Sequence, residues 1–230
     1  MNAKSKHVRS VLRNENSVNA VGETIIVLLT SRKVTSFEIF LAMSPALIVV
    51  KPAQLESAVH FTSAVRPVEL SRNDTEILKS ISSATVTGWG VYDPNFPNAA
   101  SSELRETETP IISHLTCKET WLKQSGNKFD IDYGMLCAGA KGRGTGQGDS
   151  GGPLLAYYNG KYIQIGLTSF GENDAVGLYR QDKYPGVYTR VSYYYDFINC
   201  VINDLPACRA AQIEYLLPLL FAILYCFVAN

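Results

Sequence analysis

The sequence has no excess of charge of either sign. Its 230 residues include 21 Lys and Arg against 21 Asp and Glu, so the formal net charge is zero. Proteins that bind nucleic acids carry a basic excess that neutralises phosphates, so this balance argues against a nucleic-acid partner. With 46% hydrophobic and 18% charged residues, the chain is also too apolar to be intrinsically disordered.

Features typical of secretion are incomplete at the start of the sequence. The first apolar run, Ile25 to Leu29, is too short and too late to form the core of a signal peptide, so we expect none in this chain. The five cysteines leave at least one thiol of a secreted form without a partner in the same chain. Cys200 and Cys208 are close enough in sequence to pair, and Cys226 lies near the C-terminus.

Charged residues are also absent from the last segment, Tyr215 to Asn230. This segment is shorter than the roughly 20 residues that a helix needs to cross a bilayer. Its length fits the apolar tail of a GPI-attachment signal. We therefore expect a membrane tether, and the alternative is a C-terminal helix packed in the core.

Short strand-like segments dominate the middle of the chain. They are rich in β-branched and aromatic residues and are mostly flanked by turn-forming residues, which favours an all-β sandwich or barrel. The apolar side chains from Val191 to Ile202 recur at helical spacing and predict a helix that packs one face on the barrel. The strand-like segments are Ala58 to Phe61, Ala84 to Thr87, Tyr162 to Leu167 and Gly186 to Thr189.

The strongest chemical signal is the string Gly-Gln-Gly-Asp-Ser-Gly-Gly-Pro-Leu from Gly146 to Leu154. Glycines on both sides of Ser150 permit a tight turn that exposes its hydroxyl group. The same turn lets the amides of Gly148 and Ser150 point at one spot, where they can stabilise an oxyanion. The string therefore predicts a nucleophilic serine beside an oxyanion site.

Around this string, the sequence resembles the chymotrypsin/trypsin family of serine proteases. The resemblance is strong from about Ala46 to Ile202, and several further motifs occur in the family's order. They are Val86 to Gly90, Leu104 to Glu106 with Pro110 to Ile112, Met135 to Gly139, Ser169 to Gly171, and Pro185 to Ser192.

The resemblance implies a fold and a set of site residues. The fold is a trypsin-like double antiparallel β-barrel, here with an incomplete first barrel, a C-terminal helix and a hydrophobic tail. Ser150 takes the position of the nucleophile, and the amides of Gly148 and Ser150 are the oxyanion donors. Asp149 is the acid that pairs with a newly cut N-terminus when a zymogen is activated. Cys117 and Cys137 are implied to form a disulfide, and neither a metal nor a cofactor is implied.

The resemblance also implies a specificity pocket in which Gly144 takes the position at the base. Because glycines leave the walls of such a pocket open, we expect an apolar or aromatic preference. Asp174 and Asp182 lie in the neighbouring segment, so a basic preference stays open. The pocket residues are Gly144, Ser169, Gly171 and Gly186.

Two members of the family's catalytic triad are missing from their expected positions. A serine needs a base that takes its proton, and that base needs an orienting partner. The acid position is occupied by Ser44, and His7, His60 and His114 all lie away from the position of the base. We therefore expect a pseudoprotease that binds peptide or protein substrates or inhibitors. The alternative is an active endopeptidase whose N-terminal part precedes this chain.

Three segments follow from this reading. Residues 1–68 are a remnant of the first barrel, residues 69–205 form the second barrel with the nucleophile motif and the C-terminal helix, and residues 206–230 are a spacer and hydrophobic tail. Asn73 begins an acceptor sequence for N-glycosylation, Asn-Asp-Thr. The family and the tail together predict an extracellular or cell-surface location.

Overall fold

The computed structural model describes eight ranges of the chain, the first three of them as backbone only. The ranges are 27–28, 35–41, 48–54, 61, 67–96, 99–126, 129–172 and 174–203.

A closed antiparallel barrel of six strands forms the main body of the described residues. Each strand pairs with two neighbours in the circular order β5, β6, β7, β10, β9, β8 and back to β5. The closure leaves none of these six strands at an open edge. The strands are β5 (Ser83–Gly88), β6 (Arg105–Ile112), β7 (Met135–Ala138), β8 (Pro153–Tyr158), β9 (Lys161–Phe170) and β10 (Gly186–Arg190).

Within the described ranges, four further strands and four helices accompany the barrel. Strands β1 to β3 form a separate antiparallel sheet in that order, and β4 pairs in parallel with β9. The strands are β1 (Val27–Leu28), β2 (Thr35–Leu41), β3 (Ile48–Gln54) and β4 (Glu69–Leu70); the helices are α1 (Thr75–Ser80), α2 (His114–Gln124), α3 (Ala175–Tyr179) and α4 (Tyr195–Ile202).

Alternating side chains of the strands fill the interior of the barrel. Along β5, Ala84 and Val86 are buried, whereas the alternate residues Ser83, Thr85 and Thr87 are only half-buried, as expected for a strand with one face on a core. Leu154 from β8, Ile165 from β9 and Tyr188 from β10 belong to the same buried cluster and have almost no exposed surface. The predicted strands at 84–87, 162–167 and 186–189 are confirmed; most of the fourth, at 58–61, lies outside the described residues.

Helix α4 packs one face on the outside of the barrel, as its spacing predicts. Ile198 is buried against Leu167 of β9, and Tyr194 and Phe197 pack around this contact. The helix begins at Tyr195 rather than at Val191, because residues 191–194 form a turn.

Helix α2 was not predicted from the sequence. The Oγ atom of Ser113 accepts a hydrogen bond from the amide of Thr116 at 3.1 Å and caps the first turn. Only Cys117 of this helix is fully buried, so the helix lacks a continuous apolar stripe. Cys117 and Cys137 form the disulfide that the resemblance implies, which ties α2 to β7.

The predicted fold class is confirmed, because the structure is mostly β with a closed antiparallel barrel and a short C-terminal helix. The three segment boundaries stay predictions. Within the described residues, no helix is long and apolar enough to cross a membrane. The tail at 206–230 lies outside the described ranges. Cys208 does too, so the pairing of Cys200 with Cys208 stays a prediction.

Candidate active site

The loop between β7 and β8 presents Ser150 at an exposed turn. Gly148 and Gly151, on either side of it, have φ angles of 97° and 79°, which a side chain would disfavour. The turn is fastened to β9, since the amide of Gly151 donates to the carbonyl of Thr168 at 2.8 Å and the amide of Thr168 donates to the carbonyl of Gly152 at 2.7 Å. The glycines and these two bonds hold the serine outward.

The carboxylate of Asp149 lies buried beneath this turn. It accepts hydrogen bonds from the amides of Gly90 at 2.7 Å and Gly146 at 2.9 Å. Burial raises the pKa of Asp149 above its ordinary value, and the two amide hydrogen bonds oppose this effect. The carboxylate is therefore held by one backbone donor from its own loop and by one from a segment 59 residues away.

The Thr-Gly-Trp-Gly string at 87–90 has a direct structural reason. A Cβ atom on Gly88 would lie 2.0 Å from Oδ1 of Asp149, and one on Gly90 would lie 2.5 Å from its Cγ and Oδ2. Only glycine therefore lets this segment approach the carboxylate. The motif at Val86 to Gly90 and the glycine-rich string at Gly146 to Leu154 therefore meet in one contact.

A cavity of about 320 Å3 opens beside Asp149. It is lined by the end of β5 and the residues that follow it, by the first residues of β6, by the loop at 142–145 and by Leu178 and Tyr179 of α3. The carboxylate of Asp149 is the buried acidic group on its wall.

Three of the four predicted pocket residues, Gly144, Gly171 and Gly186, lie near one another, and Ser169 precedes Gly171 by two residues. Ser169 is buried near the end of β9, and its Oγ atom has no hydrogen-bond partner within the described residues. A Cβ atom on Gly171 would lie 3.7 Å from the Cα atom of Gly186, so these two glycines are close neighbours. Gly144 and Gly186 both border the side chain of Gln181.

Gln181 is the site residue that the sequence analysis missed. Its side chain is 4% exposed, and its Oε1 atom would lie 1.7 Å from a Cβ atom on Gly144. The walls are therefore less open than the four residues imply, because an amide fills the space beside Gly144. No motif or periodicity marks this loop residue, so the sequence offered no signal for it.

The resemblance implies a histidine as the base that would act on Ser150. His114, the one histidine among the described residues, begins α2 and stacks on Tyr133 at a centroid distance of 4.6 Å. It makes no hydrogen bond to Ser150. His7, His60 and Ser44 lie outside the described residues.

The comparisons with known proteins agree with this geometry. The family model "Trypsin" matches residues 49–198, which is more than half of the chain.

The chain belongs to the trypsin family.

Two curated members of this family show how much of such a protein is present. The chain is 36% identical to mouse "Tryptase" over 149 residues, which cover 64% of this chain and 52% of that protein. It is 35% identical to human "Testisin" over 147 residues, covering 63% of this chain and 45% of that protein. The chain thus spans about half the length of the curated trypsin-family relatives it matches.

Two further predictions concern sites outside the trypsin-family cleft. Asn73 is exposed, and its Oδ1 atom accepts a hydrogen bond from the amide of Thr75 at 3.0 Å, just before α1; its glycosylation stays a prediction. Across the described ranges, no group of three His, Cys, Asp or Glu side chains is arranged to hold a metal ion.

Proposed function

We propose that this chain is a protease-like protein that binds peptide segments of proteins or protease inhibitors at the cleft beside Ser150. It does not hydrolyse them at the rate of a complete trypsin-family enzyme. Trypsin-like proteases act on protein substrates and bind protein inhibitors. This chain would retain such binding but would lack the catalytic turnover.

The turn at Ser150 supports the proposed binding of peptides. Gly148 and Gly151 have the positive φ angles that the turn requires, and the hydrogen bonds between Thr168 and residues 151 and 152 hold it against β9. A turn of this kind directs amides at one spot, where they bind a carbonyl or carboxylate oxygen. The resemblance assigns this role to the amides of Gly148 and Ser150.

The surroundings of the Ser150 hydroxyl group support the proposed lack of hydrolysis. A serine hydroxyl is a weak nucleophile until a base takes its proton. The described histidine, His114, stacks on Tyr133 instead, and the resemblance places Ser44 where the orienting acid belongs. Loss of triad members lowers kcat by about 10⁴-fold or more.

Covalent labelling of Ser150 tests the proposal. The purified chain is treated with a fluorophosphonate probe after circular dichroism has shown that it is folded, and Ser150→Ala is the control. We expect no labelling above that of the control. Labelling that depends on Ser150 would show an activated serine and would contradict the proposal that the chain is a pseudoprotease.

An active endopeptidase is the second candidate, and the intact turn favours it, since binding alone does not require a serine at 150. In this alternative, residues that precede the chain supply the base, and a newly cut N-terminus enters the cavity beside Asp149. Ser44 counts against it, because added residues would not restore an acid at that position. The same probe separates the candidates when it is applied to a longer product that includes this chain.

We also propose an extracellular or cell-surface location. The disulfide between Cys117 and Cys137 favours an oxidising compartment. The apolar tail at 215–230 would tether the protein to a membrane, through a GPI anchor or directly. Release of the protein from cells by a phosphatidylinositol-specific phospholipase would support the GPI anchor, and retention after this treatment would contradict it.

A further inference from the structure

We infer that Gln181 determines the specificity of the pocket at Gly144 and selects a peptide side chain that ends in an uncharged hydrogen-bond donor, such as the amide of glutamine or asparagine. The inference rests on the proposed function, since it assumes that the cleft beside Ser150 binds peptides.

The position of the Gln181 side chain is the first reason. Its Oε1 and Cδ atoms would lie 1.7 and 2.3 Å from a Cβ atom on Gly144, which is the space that a side chain at 144 would occupy. Oε1 would also lie 3.3 Å from a Cβ atom on Gly186. Gln181 therefore supplies, from another segment, the functional group that Gly144 lacks.

The orientation of this amide is the second reason. Its Nε2 atom donates a hydrogen bond to the carbonyl of Thr145 at 2.5 Å. The reverse orientation would bring two carbonyl oxygens together at this distance, so the hydrogen bond decides which atom faces the pocket. Oε1 thus points toward Gly144 and Gly186.

Oε1 of Gln181 is a buried acceptor, and it has no hydrogen-bond partner within the described residues. Buried polar atoms nearly always have a hydrogen-bond partner, which can be water or a group of a ligand. Beside Gly144 and Gly186, a donor on the bound side chain would supply that partner. A purely apolar side chain would cover the acceptor and leave it unsatisfied. This argues for a ligand that ends in a donor.

The acids near the pocket within the described residues all have hydrogen-bond partners, and this decides between a neutral and a charged donor. The carboxylate of Asp149 accepts from the amides of Gly90 and Gly146. Asp174 accepts a hydrogen bond from the amide of Gly177 at 2.6 Å and caps α3. Asp182 accepts two hydrogen bonds from the guanidinium of Arg180, at 2.8 and 2.7 Å. Since a buried cation without a counter-charge is strongly unfavourable, the pocket favours an uncharged donor over lysine or arginine.

Binding of short product peptides tests the inference without requiring turnover. Fluorescein-labelled Ala-Ala-Pro-Gln, Ala-Ala-Pro-Phe and Ala-Ala-Pro-Arg carry a free C-terminal carboxylate for the turn at Ser150 and differ only in the last side chain. Dissociation constants are measured by fluorescence polarisation on the full chain. We expect the glutamine peptide to bind about tenfold more tightly than the other two, because it alone satisfies the acceptor without a buried charge.

Two variants of Gln181 change the pocket in different ways. Gln181→Glu adds a counter-charge and should improve binding of the arginine peptide by about tenfold. Gln181→Ala removes the acceptor and should abolish the preference for glutamine while improving binding of the phenylalanine peptide. Gln124→Glu is the matched control, because the Gln124 amide contacts the carbonyl of Lys183 in the same segment but does not reach Gly144.

Each outcome has a distinct meaning. Equal binding of all three peptides to the wild-type chain, or a preference that Gln181→Ala leaves unchanged, overturns the inference and leaves the proposed function standing. Failure of every peptide to bind the folded wild-type chain and both Gln181 variants overturns the proposed function and the inference together. A preference that shifts equally in Gln124→Glu would assign the effect to the loop rather than to the Gln181 amide and would also overturn the inference.

Discussion

The carboxylate of Asp74 accepts two hydrogen bonds from the guanidinium of Arg190, which lies 116 residues later in the chain. The distances are 2.8 and 2.6 Å, and the side chains are 2% and 23% exposed for Asp74 and Arg190. The hydrogen bonds to Asp74 raise the pKa of Arg190. This ion pair joins the start of α1 to the end of β10.

Removal of one partner of this pair should destabilise the protein. Asp74→Asn leaves the Arg190 guanidinium partly buried without a counter-charge, and we expect a loss of about 3 kcal/mol in the free energy of unfolding. Urea denaturation followed by circular dichroism measures the loss. Glu76→Gln is the control, because the pair of Glu76 with Lys79 is exposed and its loss should change the free energy by less than about 1 kcal/mol. Equal losses in both variants would contradict the structural role of Asp74.

The contact between Gly144 and Gln181 predicts a coupled effect on stability. Gly144→Ala places a Cβ atom on the Gln181 amide and should cost about 1–3 kcal/mol of unfolding free energy. Gln181→Ala in the same chain should recover at least about 1 kcal/mol of this loss, because it removes the clashing atoms. A double-mutant cycle in urea measures the recovery.

Gly160→Ala provides the control for this cycle. Gly160 also has a positive φ angle, 79°, but a Cβ atom there would meet nothing within 4 Å. Its cost is therefore that of the backbone conformation alone, and Gln181→Ala should not relieve it. Additive effects of Gly144→Ala and Gln181→Ala would show that the two residues are not in contact.

Burial of Asp149 predicts a pH dependence of stability. Because burial raises its pKa in the folded state, the folded chain retains a proton over a pH range in which the unfolded chain has lost it. Stability contributed by this group is thus present below the unfolded pKa of about 3.9 and is lost as pH rises through the folded pKa.

Asp149→Asn removes this titration. Unfolding free energies measured in urea between pH 4 and pH 7 should show that the wild-type chain loses stability relative to the variant as pH rises. Asp196→Asn, at a site 90% exposed, should run parallel to the wild type. Parallel curves for Asp149→Asn as well would rule out the raised pKa.

The disulfide between Cys117 and Cys137 should contribute to stability through the loop it closes. The two cysteines are 20 residues apart, and closing a loop of this length stabilises a fold by about 3 kcal/mol. The double variant Cys117→Ala with Cys137→Ala should lose about this amount in urea. A chemically reduced wild-type chain is the matched comparison, since it keeps both side chains. Unchanged stability of the reduced chain would contradict the prediction.

Much of the barrel could be predicted because its signals are local. The alternation at Ala84 and Val86 reflects a strand with one buried face, and the spacing of Tyr194, Phe197 and Ile198 reflects a helix on a surface. Helix α2 escaped prediction because only Cys117 of its residues is fully buried, so no apolar stripe marks it. Helix α3 has five residues, too few for any periodicity to show.

In the candidate site, too, some residues are marked by a sequence motif and others are not. The glycine-rich string around Ser150 indicates a turn, because glycine tolerates positive φ angles. The glycines at 87–90 indicate a close approach to another segment, because glycine lacks a Cβ atom. Gln181 has no such mark. Its importance comes from where the loop before β10 is placed, which depends on packing against Gly139, Gly144 and Gly186.

The sequence by itself determined the family, the all-β class and the glycine-rich turn at Ser150, since each of these is marked by residue types at short spacing. The pairing of Cys117 with Cys137 was implied by the resemblance to the family and is present in the structure. Only the tertiary structure decided that Asp149 is held by Gly90 and Gly146, that Asp74 pairs with Arg190, and that Gln181 fills the space beside Gly144. These contacts join segments that are distant in sequence or lie in loops without a repeat. Chain closure and packing, rather than local preference, bring such atoms together.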